Sequence, residues 1–270
     1  MKDSRTSGAG DSPYGGKQGA WFRREAREVV AERHQGAVEL NRHDAAPPAV
    51  LDTVADVRNA EPPGRVVFLN GTSSSGKTTL ARAIQDESDT PFVHWGIDTL
   101  FHLVPPDWGG GRGGPLSRAG FWYDRTVRDE DGHPSVVIRY GPVGRRMLHS
   151  ACTAAAAFAR GGDDLVIDEM LLSPDLLPVW MDALAGLDVL LVGVMCPLPV
   201  AEEREVARGN ESGLARGHLR TVHEHGFAYD ITVDTSTETP IDLAKAVLRC
   251  PPSTPPLRRQ HEGGPSPHYG

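Results

Sequence analysis

The eight residues from Gly71 to Thr78 constrain the fold of this chain more than any other segment. They read GTSSSGKT and match the pattern G-x-x-x-x-G-K-[ST] at every fixed position. The apolar run Val66–Leu69 precedes them and the helix-like stretch Lys77–Glu87 follows, which is the strand–loop–helix context that the pattern requires. Glycines let such a loop curl so that its N–H groups converge, and the helix N-terminus adds positive potential. The sequence therefore predicts a nucleotide phosphate site formed by Gly71, Thr72, Ser73, Ser74, Ser75, Gly76, Lys77, Thr78 and Thr79.

Two side chains of this loop and one distant acid predict the chemistry of the bound phosphates. Lys77 can reach the β- and γ-phosphates, and the Thr78 hydroxyl can bind Mg²⁺. The apolar run Leu165–Ile167 ends in Asp168, and an acid at the carboxyl end of a parallel strand faces such a loop. Asp168 could instead cap the segment Leu171–Leu172. We expect ATP and Mg²⁺ as cofactors, with Thr78 and Asp168 as the metal residues.

The order of apolar runs and helical patterns predicts the fold class. Short continuous apolar runs alternate with longer helical stretches, which indicates βαβ units and strands buried on both faces. We predict an α/β domain over 63–250, with three layers. The predicted strands are Arg65–Leu69, Phe92–Trp95, Leu165–Ile167, Val189–Met195 and Ile231–Val233. The predicted helices are Lys77–Glu87, Ile97–Val104, Val143–Arg160, Pro174–Leu184, Pro197–Arg208, Gly213–His225 and Pro240–Leu248.

Composition sets limits on the rest of the chain. With 30 glycines and 22 prolines among 270 residues, we expect disordered ends over 1–62 and 251–270, the first being alternatively a partner-binding arm. The net charge of −8 argues against nucleic-acid binding. Apolar runs such as Val189–Met195 are too short to cross a membrane, and we expect no secretory signal, because no apolar run follows Met1–Arg5. Three widely spaced cysteines suit a reducing cytoplasm.

Asp98 follows the second predicted strand, so a parallel sheet would direct it to the same edge as the phosphate loop. Its carboxylate could accept a hydroxyl proton as that oxygen attacks the γ-phosphate, or it could cap a helix that begins at Thr99. His94 and His102 flank this segment and could touch a substrate.

The glycine-rich insert 107–135 interrupts the alternating pattern, and we expect it to be irregular, either a binding loop or a disordered one. It holds the aromatic residues Trp108, Phe121, Trp122 and Tyr123. They could form an apolar acceptor pocket over Asp98, or they could pack the insert onto the sheet.

Beyond the shared phosphate loop, the order and spacing of six segments resemble the chloramphenicol phosphotransferase family. The resemblance covers about Val66–Leu248 and is carried by Phe68–Lys77, Trp95–Leu100, Val166–Glu169, Val192–Cys196, Glu203–Gly209 and Tyr229–Thr235. It implies a P-loop kinase fold with a five-stranded parallel sheet. It further implies transfer of the ATP γ-phosphate to a primary hydroxyl of an antibiotic, hence antibiotic resistance, with Asp98 as the general base.

The resemblance also gives meaning to an arginine pair. Arg204 and Arg208 share one helix face and, on a lid, could neutralise the transferring phosphoryl group. Alternatively, they belong to a solvated face with Glu202, Glu203 and Glu205. The resemblance to the kinase family implies that the catalytic residues are Asp98, Lys77, Arg208 and Arg204. We further predict that the substrate-binding residues are Trp95, Asp98, Phe101 and Trp122.

The chain departs from the expected pattern at Glu211, where the resemblance leads us to expect another arginine. Arg216 and Arg220 lie downstream and could substitute for it. The histidines of this region, His218, His223 and His225, match no zinc-ligand set, and we expect them on the lid or the surface.

Three functions remain open on the sequence alone. The first is a kinase of a chloramphenicol-like, hydroxyl-bearing small molecule. The second is a kinase of another metabolite on the same scaffold. The third is a nucleotide-binding regulatory protein with little turnover, which Glu211 favours. The sequence predicts no oligomeric state.

Overall fold

The computed structural model describes residues 62–109 and 113–251. The two predicted disordered ends therefore lie almost entirely outside the described residues. No helix in these two ranges is both long and apolar enough to cross a bilayer.

The described residues form an α/β domain around one parallel sheet. Its strands are β1 (Val66–Asn70), β2 (Phe92–Gly96), β5 (Asp164–Glu169), β6 (Val189–Met195) and β7 (Ile231–Asp234), in the order β2-β5-β1-β6-β7. The helices are α1 (Lys77–Glu87), α2 (Ile97–Leu103), α3 (Pro142–Arg160), α4 (Leu176–Ala183), α5 (Leu198–Arg208), α6 (Leu214–His218) and α7 (Pro240–Arg249). A separate antiparallel hairpin pairs β3 (Phe121–Asp124) with β4 (Val137–Tyr140), and short 3₁₀ turns span Pro106–Trp108 and Thr221–His223. The predicted fold class and its five-stranded parallel sheet are confirmed.

Helices cover both faces of the sheet, so the central strands read as unbroken apolar runs. In β1, Val66 and Phe68 point into a core that contains α3 and α4, while Val67 and Leu69 point into a second core with α1 and α7. All four side chains are at most 1% exposed. Full burial of each such side chain contributes about 1.5–3 kcal/mol.

Parallel pairing aligns three functional segments at one edge of the sheet. Asn70 pairs with Glu169, and Gly96 pairs with Asp168. The phosphate loop after β1, the acid at the end of β5 and Asp98 just beyond β2 therefore share the carboxyl edge, where open α/β sheets bind ligands.

The prediction of an irregular insert is wrong for its second half. Phe121–Asp124 forms a strand whose partner begins at Val137, just past the assigned boundary at residue 135. Successive side chains of β3 point to opposite faces of the hairpin: Phe121 is buried in the core, while Trp122 lies on the other face. Glycines around so short a strand obscure its period of two.

The predicted helix Gly213–His225 is also wrong in its extent. It divides into α6 and the 3₁₀ turn at Thr221–His223. A Cβ on Gly217 would lie 2.0 Å from the carbonyl oxygen of Val136, so only glycine permits this close approach of α6 to β4.

Candidate active site

The phosphate loop takes a backbone conformation that its glycines and serines allow. Gly76 has φ 95°, and Ser74, with φ 58°, is the one non-glycine residue at positive φ among the described residues. A Cβ on Gly71 would come within 2.5 Å of the Val194 carbonyl oxygen and 2.7 Å of Ser75 Oγ. Gly71 and Gly76 are therefore required by geometry, and the loop bends tightly between β1 and α1.

Two hydroxyls of the loop are suited to phosphate oxygens. Ser74 Oγ and Ser75 Oγ are buried and have no hydrogen-bond partner among the described residues. Lys77 lies beside them and donates from Nζ to the Thr72 carbonyl oxygen at 2.8 Å. Burial lowers the pKa of Lys77, although the charges of Asp168 and Asp98 oppose that shift. Buried donors without partners in a cationic loop fit a bound polyphosphate.

Thr78 and Asp168 meet as the sequence predicts for a magnesium site. Thr78 Oγ1 donates to Asp168 Oδ2 at 2.6 Å, and Asp168 Oδ1 lies 4.0 Å from Lys77 Nζ. Burial alone would raise the pKa of Asp168, but His94 Nε2 at 3.5 Å, Lys77 and Thr78 outweigh it and lower that pKa. An ionised carboxylate beside a hydroxyl supplies the oxygen ligands that Mg²⁺ prefers.

Asp98 lies in the first turn of α2, which begins at Ile97 and has Gly96 as its N-cap. The alternative of a cap for a helix beginning at Thr99 is therefore wrong. The side chain is accessible to solvent. The walls of the cleft still desolvate it, and Asp168 repels its charge, so its pKa is raised, with Lys77 opposing the shift. A carboxylate in this setting can hold a proton at higher pH than an ordinary aspartate.

Phe101 joins α2 to the insert, and His102 forms a hydrogen bond within the helix. His102 Nδ1 donates to the Asp98 carbonyl oxygen at 2.6 Å. Phe101 packs edge-on against Phe121 of the hairpin, with ring centroids 5.2 Å apart. Phe101 and Asp98 thus lie on one short helix beside the hairpin.

The two tryptophans predicted to contact the acceptor, Trp95 and Trp122, pack against different parts of the domain. Trp95 packs against Phe158 of α3, with ring centroids 6.3 Å apart. Trp122 lies beneath the Arg118 guanidinium, whose central carbon is 4.7 Å from the indole centroid. Contact of either tryptophan with an acceptor stays a prediction.

Arg204 and Arg208, the two arginines predicted to lie on a lid, have different contacts in the structure. Arg204 donates from Nη1 to Thr235 Oγ1 at 2.9 Å and from Nη2 to the Thr235 carbonyl oxygen at 2.8 Å. Thr235 Oγ1 in turn donates to the Ser75 carbonyl oxygen at 2.6 Å. Arg204 therefore supports the phosphate loop through Thr235. Arg208, one turn later, is exposed and forms no ion pair among the described residues.

A cavity of about 230 Å³ adjoins the phosphate loop between α1, α5 and the segment after β7. Its lining consists of Gly76, Thr79, Leu80, Arg204, Arg208, Thr235, Glu238, Pro240 and Leu243. A larger, open groove of about 450 Å³ runs along α3, but no residue of the phosphate loop lines it. The smaller cavity is the one positioned for a nucleoside whose phosphates enter the loop.

Glu205 corrects the idea that α5 presents only a solvated charged face. It is 1% exposed and accepts hydrogen bonds from the Gly213 and Ala215 amides at 3.0 and 2.5 Å. The Ala215 carbonyl oxygen then accepts from Thr72 Oγ1 at 2.7 Å. Burial raises the pKa of Glu205, and the two amide donors oppose that shift. Glu205 thereby holds α6 against the phosphate loop.

Glu211 faces the insert rather than the phosphates. It forms a bidentate ion pair with Arg125, at 2.6 Å to Nε and 3.0 Å to Nη2. Arg216, which could have substituted for the expected arginine, pairs with Asp129 at 2.6 Å, and Arg220 is likewise paired with Glu130. These pairs join the segment 211–220 to the insert, whereas Arg208 forms no ion pair within the described residues.

Of the two places expected for the three histidines, the lid or the surface, the surface is wrong for two of them. His218 is 0% and His225 is 6% exposed. The Tyr229 hydroxyl lies 2.6 Å from His223 Nδ1 and 2.9 Å from His225 Nε2, and it also accepts from Asn70 Nδ2 at 2.7 Å. This polar cluster stands beside the phosphate loop because Asn70 ends β1. Sequence reasoning missed it, although the segment beginning at Tyr229 belongs to the quoted resemblance.

Comparison with known proteins agrees with this geometry. The family model of chloramphenicol phosphotransferase-like proteins matches residues 64–250. Two Mycobacterium tuberculosis proteins, Putative O-phosphotransferase MT2714 of strain CDC 1551 / Oshkosh and Putative O-phosphotransferase Rv2636 of strain H37Rv, are each 30% identical over 197 residues. That span is 70% of this chain and 85% of each relative.

Solved structures of lower similarity also match. The M. tuberculosis APS kinase CysC in complex with AMPPNP and APS has a TM-score of 0.46 and 18% identity, over 69% of this chain and 96% of its own. Shikimate kinase from Acinetobacter baumannii in complex with shikimate has a TM-score of 0.42 and 14% identity, over 68% and 91%.

Proposed function

Because this chain belongs to the chloramphenicol phosphotransferase-like family, a family of phosphotransferases on the P-loop kinase scaffold, we propose that it phosphorylates a hydroxyl group of a chloramphenicol-like small molecule at the expense of ATP. The observation that carries this proposal is Asp98. It is an accessible carboxylate at the carboxyl edge, within electrostatic reach of both Lys77 and Asp168.

The phosphates are bound by the loop amides, the buried serine hydroxyls and Lys77. Thr78 and Asp168 are the residues that would hold Mg²⁺, which when bound neutralises charge on the β- and γ-phosphates. Thr235 and Arg204 fix the loop from the side of the nucleoside cavity. These groups align ATP and shield its charge, which is most of what phosphoryl transfer requires of a protein.

Asp98 acts on the acceptor. Its carboxylate takes the hydroxyl proton as the acceptor oxygen bonds to the γ-phosphorus. The bond from that phosphorus to the β,γ-bridging oxygen breaks, and ADP leaves with the bond electrons. Arg208, which is exposed and has no ion pair among the described residues, stabilises the phosphoryl charge during transfer.

A second candidate is a nucleotide-binding regulatory protein with little turnover. It is favoured by the lid, where Glu211 replaces an expected arginine and is bound to Arg125. The two functions differ in whether ATP is consumed.

The test compares the purified protein with Asp98→Asn in MgATP, with and without chloramphenicol, by ADP release and product mass. We expect a product heavier by one phosphoryl group from the wild type. The substitution should lower kcat by about 10²–10⁴-fold with nucleotide affinity unchanged. Asp89→Asn, an exposed acid in the turn before β2, is the matched control.

The pH profile provides an independent reading of the same residue. Activity should fall as pH drops through the raised pKa of Asp98, because the base must be ionised. Unchanged turnover in the Asn variant would show that another group is the base. ATP binding without chloramphenicol-dependent turnover would direct the search to another acceptor or to the regulatory role.

A further inference from the structure

Glu238 is a carboxylate in the cavity beside the phosphate loop, and the proposed reaction does not use it. It follows β7 and lines the cavity of about 230 Å³ together with Arg204, Arg208 and Thr235. Its side chain is exposed and forms no ion pair or hydrogen bond within the described part of the chain. A ligand that enters this cavity therefore finds an accessible acceptor.

The positive charges of this cavity belong to its phosphate end. Arg204 supports the phosphate loop through Thr235. Burial lowers the pKa of Lys77 and the charge of Arg208 adds to that shift, so Arg208 lies within electrostatic reach of the loop. Glu238 is the one acid among the described lining residues, and it pairs with neither arginine. Its partner must then be a donor that the ligand itself brings.

The lining of the cavity changes in character with distance along the chain from the phosphate loop. A Cβ on Gly76 would lie 3.2 Å from Thr235, so Thr235 adjoins the loop directly. Glu238 comes three residues later, and Pro240 and Leu243 continue the lining at the start of α7. A hydroxyl is thus followed by a carboxylate and then by apolar groups. This order matches the phosphates, the ribose and the base of a nucleotide.

The chemistry of a carboxylate selects one part of that nucleotide. An ionised carboxylate only accepts hydrogen bonds, and its two oxygens suit two adjacent donors. Ribose offers such a pair in its 2′- and 3′-hydroxyls, and acidic side chains bind ribose hydroxyls in dinucleotide-binding sheets. The amino group of adenine lies beside acceptor nitrogens of the ring, which a carboxylate disfavours. The phosphates would repel it, so the ribose is the best match in ATP.

We propose that Glu238 is a nucleotide-binding residue whose carboxylate accepts hydrogen bonds from the ribose hydroxyls of the phosphoryl donor. The protein then selects ribonucleotides over 2′-deoxyribonucleotides. This assignment deepens the proposed function and rests on it only for the choice of an adenine nucleotide. Glu238 touches no reacting atom in this role, so it acts on nucleotide affinity and leaves proton transfer to Asp98.

The test measures the affinities of ADP and 2′-deoxyADP, each with Mg²⁺, by calorimetry. ADP carries the ribose but has no γ-phosphate to transfer, so the measurement requires binding and no turnover. We expect the wild type to bind ADP about tenfold more tightly than 2′-deoxyADP, the effect of one hydrogen bond to a charged group. Glu238→Ala should bind the two nucleotides with nearly equal affinity, because it lacks the acceptor.

Glu203→Ala is the matched control. Glu203 is also an exposed glutamate close to Arg204 along the chain, but it does not line the cavity. The control removes the same charge and should keep the tenfold preference for ADP. Both variants should unfold at the wild-type temperature, since neither carboxylate is buried.

GDP distinguishes ribose binding from recognition of the base. Guanine presents two adjacent N–H donors, so a carboxylate that binds the base would make GDP bind more tightly than ADP, and Glu238→Ala would remove that difference. This outcome would overturn the ribose assignment.

Loss of the ribose preference in Glu238→Ala alone would support the assignment even if chloramphenicol gives no phosphorylated product, so failure of the proposed function is distinguishable. Equal affinities of the wild type for ADP and 2′-deoxyADP would overturn it. A preference of wild-type size that persists in Glu238→Ala would also overturn it, because another group would then bind the hydroxyl.

Discussion

Glu205→Ala is the perturbation whose cost follows most directly from the structure. The carboxylate is buried and accepts from two backbone amides, those of Gly213 and Ala215, at the start of α6. Alanine removes both acceptors and leaves the Ala215 amide unpaired in a buried position. The helix would then keep its hydrogen bond to Thr72 without the support that orients it.

The expected loss is about 3 kcal/mol, twice the lower value of about 1.5 kcal/mol for a hydrogen bond to a charged group. The lower value applies because burial itself disfavours the carboxylate charge, as its raised pKa indicates. For a domain of this size, such a loss lowers Tm by about 6–12 °C. Hydrogen exchange at the Gly213 and Ala215 amides should accelerate by at least tenfold, since about 1.4 kcal/mol corresponds to tenfold.

The assay is thermal unfolding together with amide exchange, with Glu203→Ala as the matched control. Glu203 lies on the same helix but is exposed, and it has no ion pair within 62–109 and 113–251. The control should unfold within about 2 °C of the wild type. The reasoning is refuted if Glu205→Ala unfolds with the control and its two amides exchange at wild-type rates.

Two further predictions concern pH and charge. His218, His223 and His225 each have a folded pKa near 4 against an ordinary 6.5, so the unfolded chain binds more protons in that window and stability falls as pH drops through it. The slope reaches at most about 4 kcal/mol per pH unit, and equal urea midpoints at pH 7 and pH 5 would contradict neutral burial. Arg125→Glu or Glu211→Arg should each cost about 0.2–1 kcal/mol, because the pair is largely solvent-exposed, and the double reversal should restore the Tm in low salt. Failure of the double variant to recover would show that the two side chains act independently.

Local sequence patterns were sufficient to predict much of the fold. The phosphate loop was predictable because its glycine spacing, lysine and hydroxyl are fixed by the geometry of a bound phosphate. The five parallel strands were predictable because strands buried on both faces are apolar throughout. Thr78 and Asp168 were predictable as a pair because strand order brings the carboxyl ends to one edge, and they meet at 2.6 Å.

The hairpin and α6 show where such patterns fail. A four-residue strand offers two inward positions, too few for a period to stand out among neighbouring glycines. The helical pattern from Gly213 onward continues in the sequence past the point where α6 ends. Gly217 of α6 packs closely against Val136, just before β4, and such a contact with a distant segment is not visible in the local pattern.

Tertiary contacts alone decide which charged side chains are buried and which groups they bind. Glu203 and Glu205 are alike in sequence, yet one is exposed and the other is 1% exposed beneath α6. Arg204 and Arg208 share a helix face, yet Thr235 binds only the first. A helical wheel gives the direction of a side chain but not the element that lies opposite it.

The sequence by itself therefore determined the phosphate loop, the parallel sheet and the family, because each can be recognised from residues that are close together along the chain. Tertiary structure alone decided which polar groups are buried and what they bind. The reason is distance along the chain: Asn70 meets Val222 across 152 positions, Thr72 meets Ala215 across 143, and Ile138 meets His218 across 80. Such pairs depend on packing, and no local pattern encodes them.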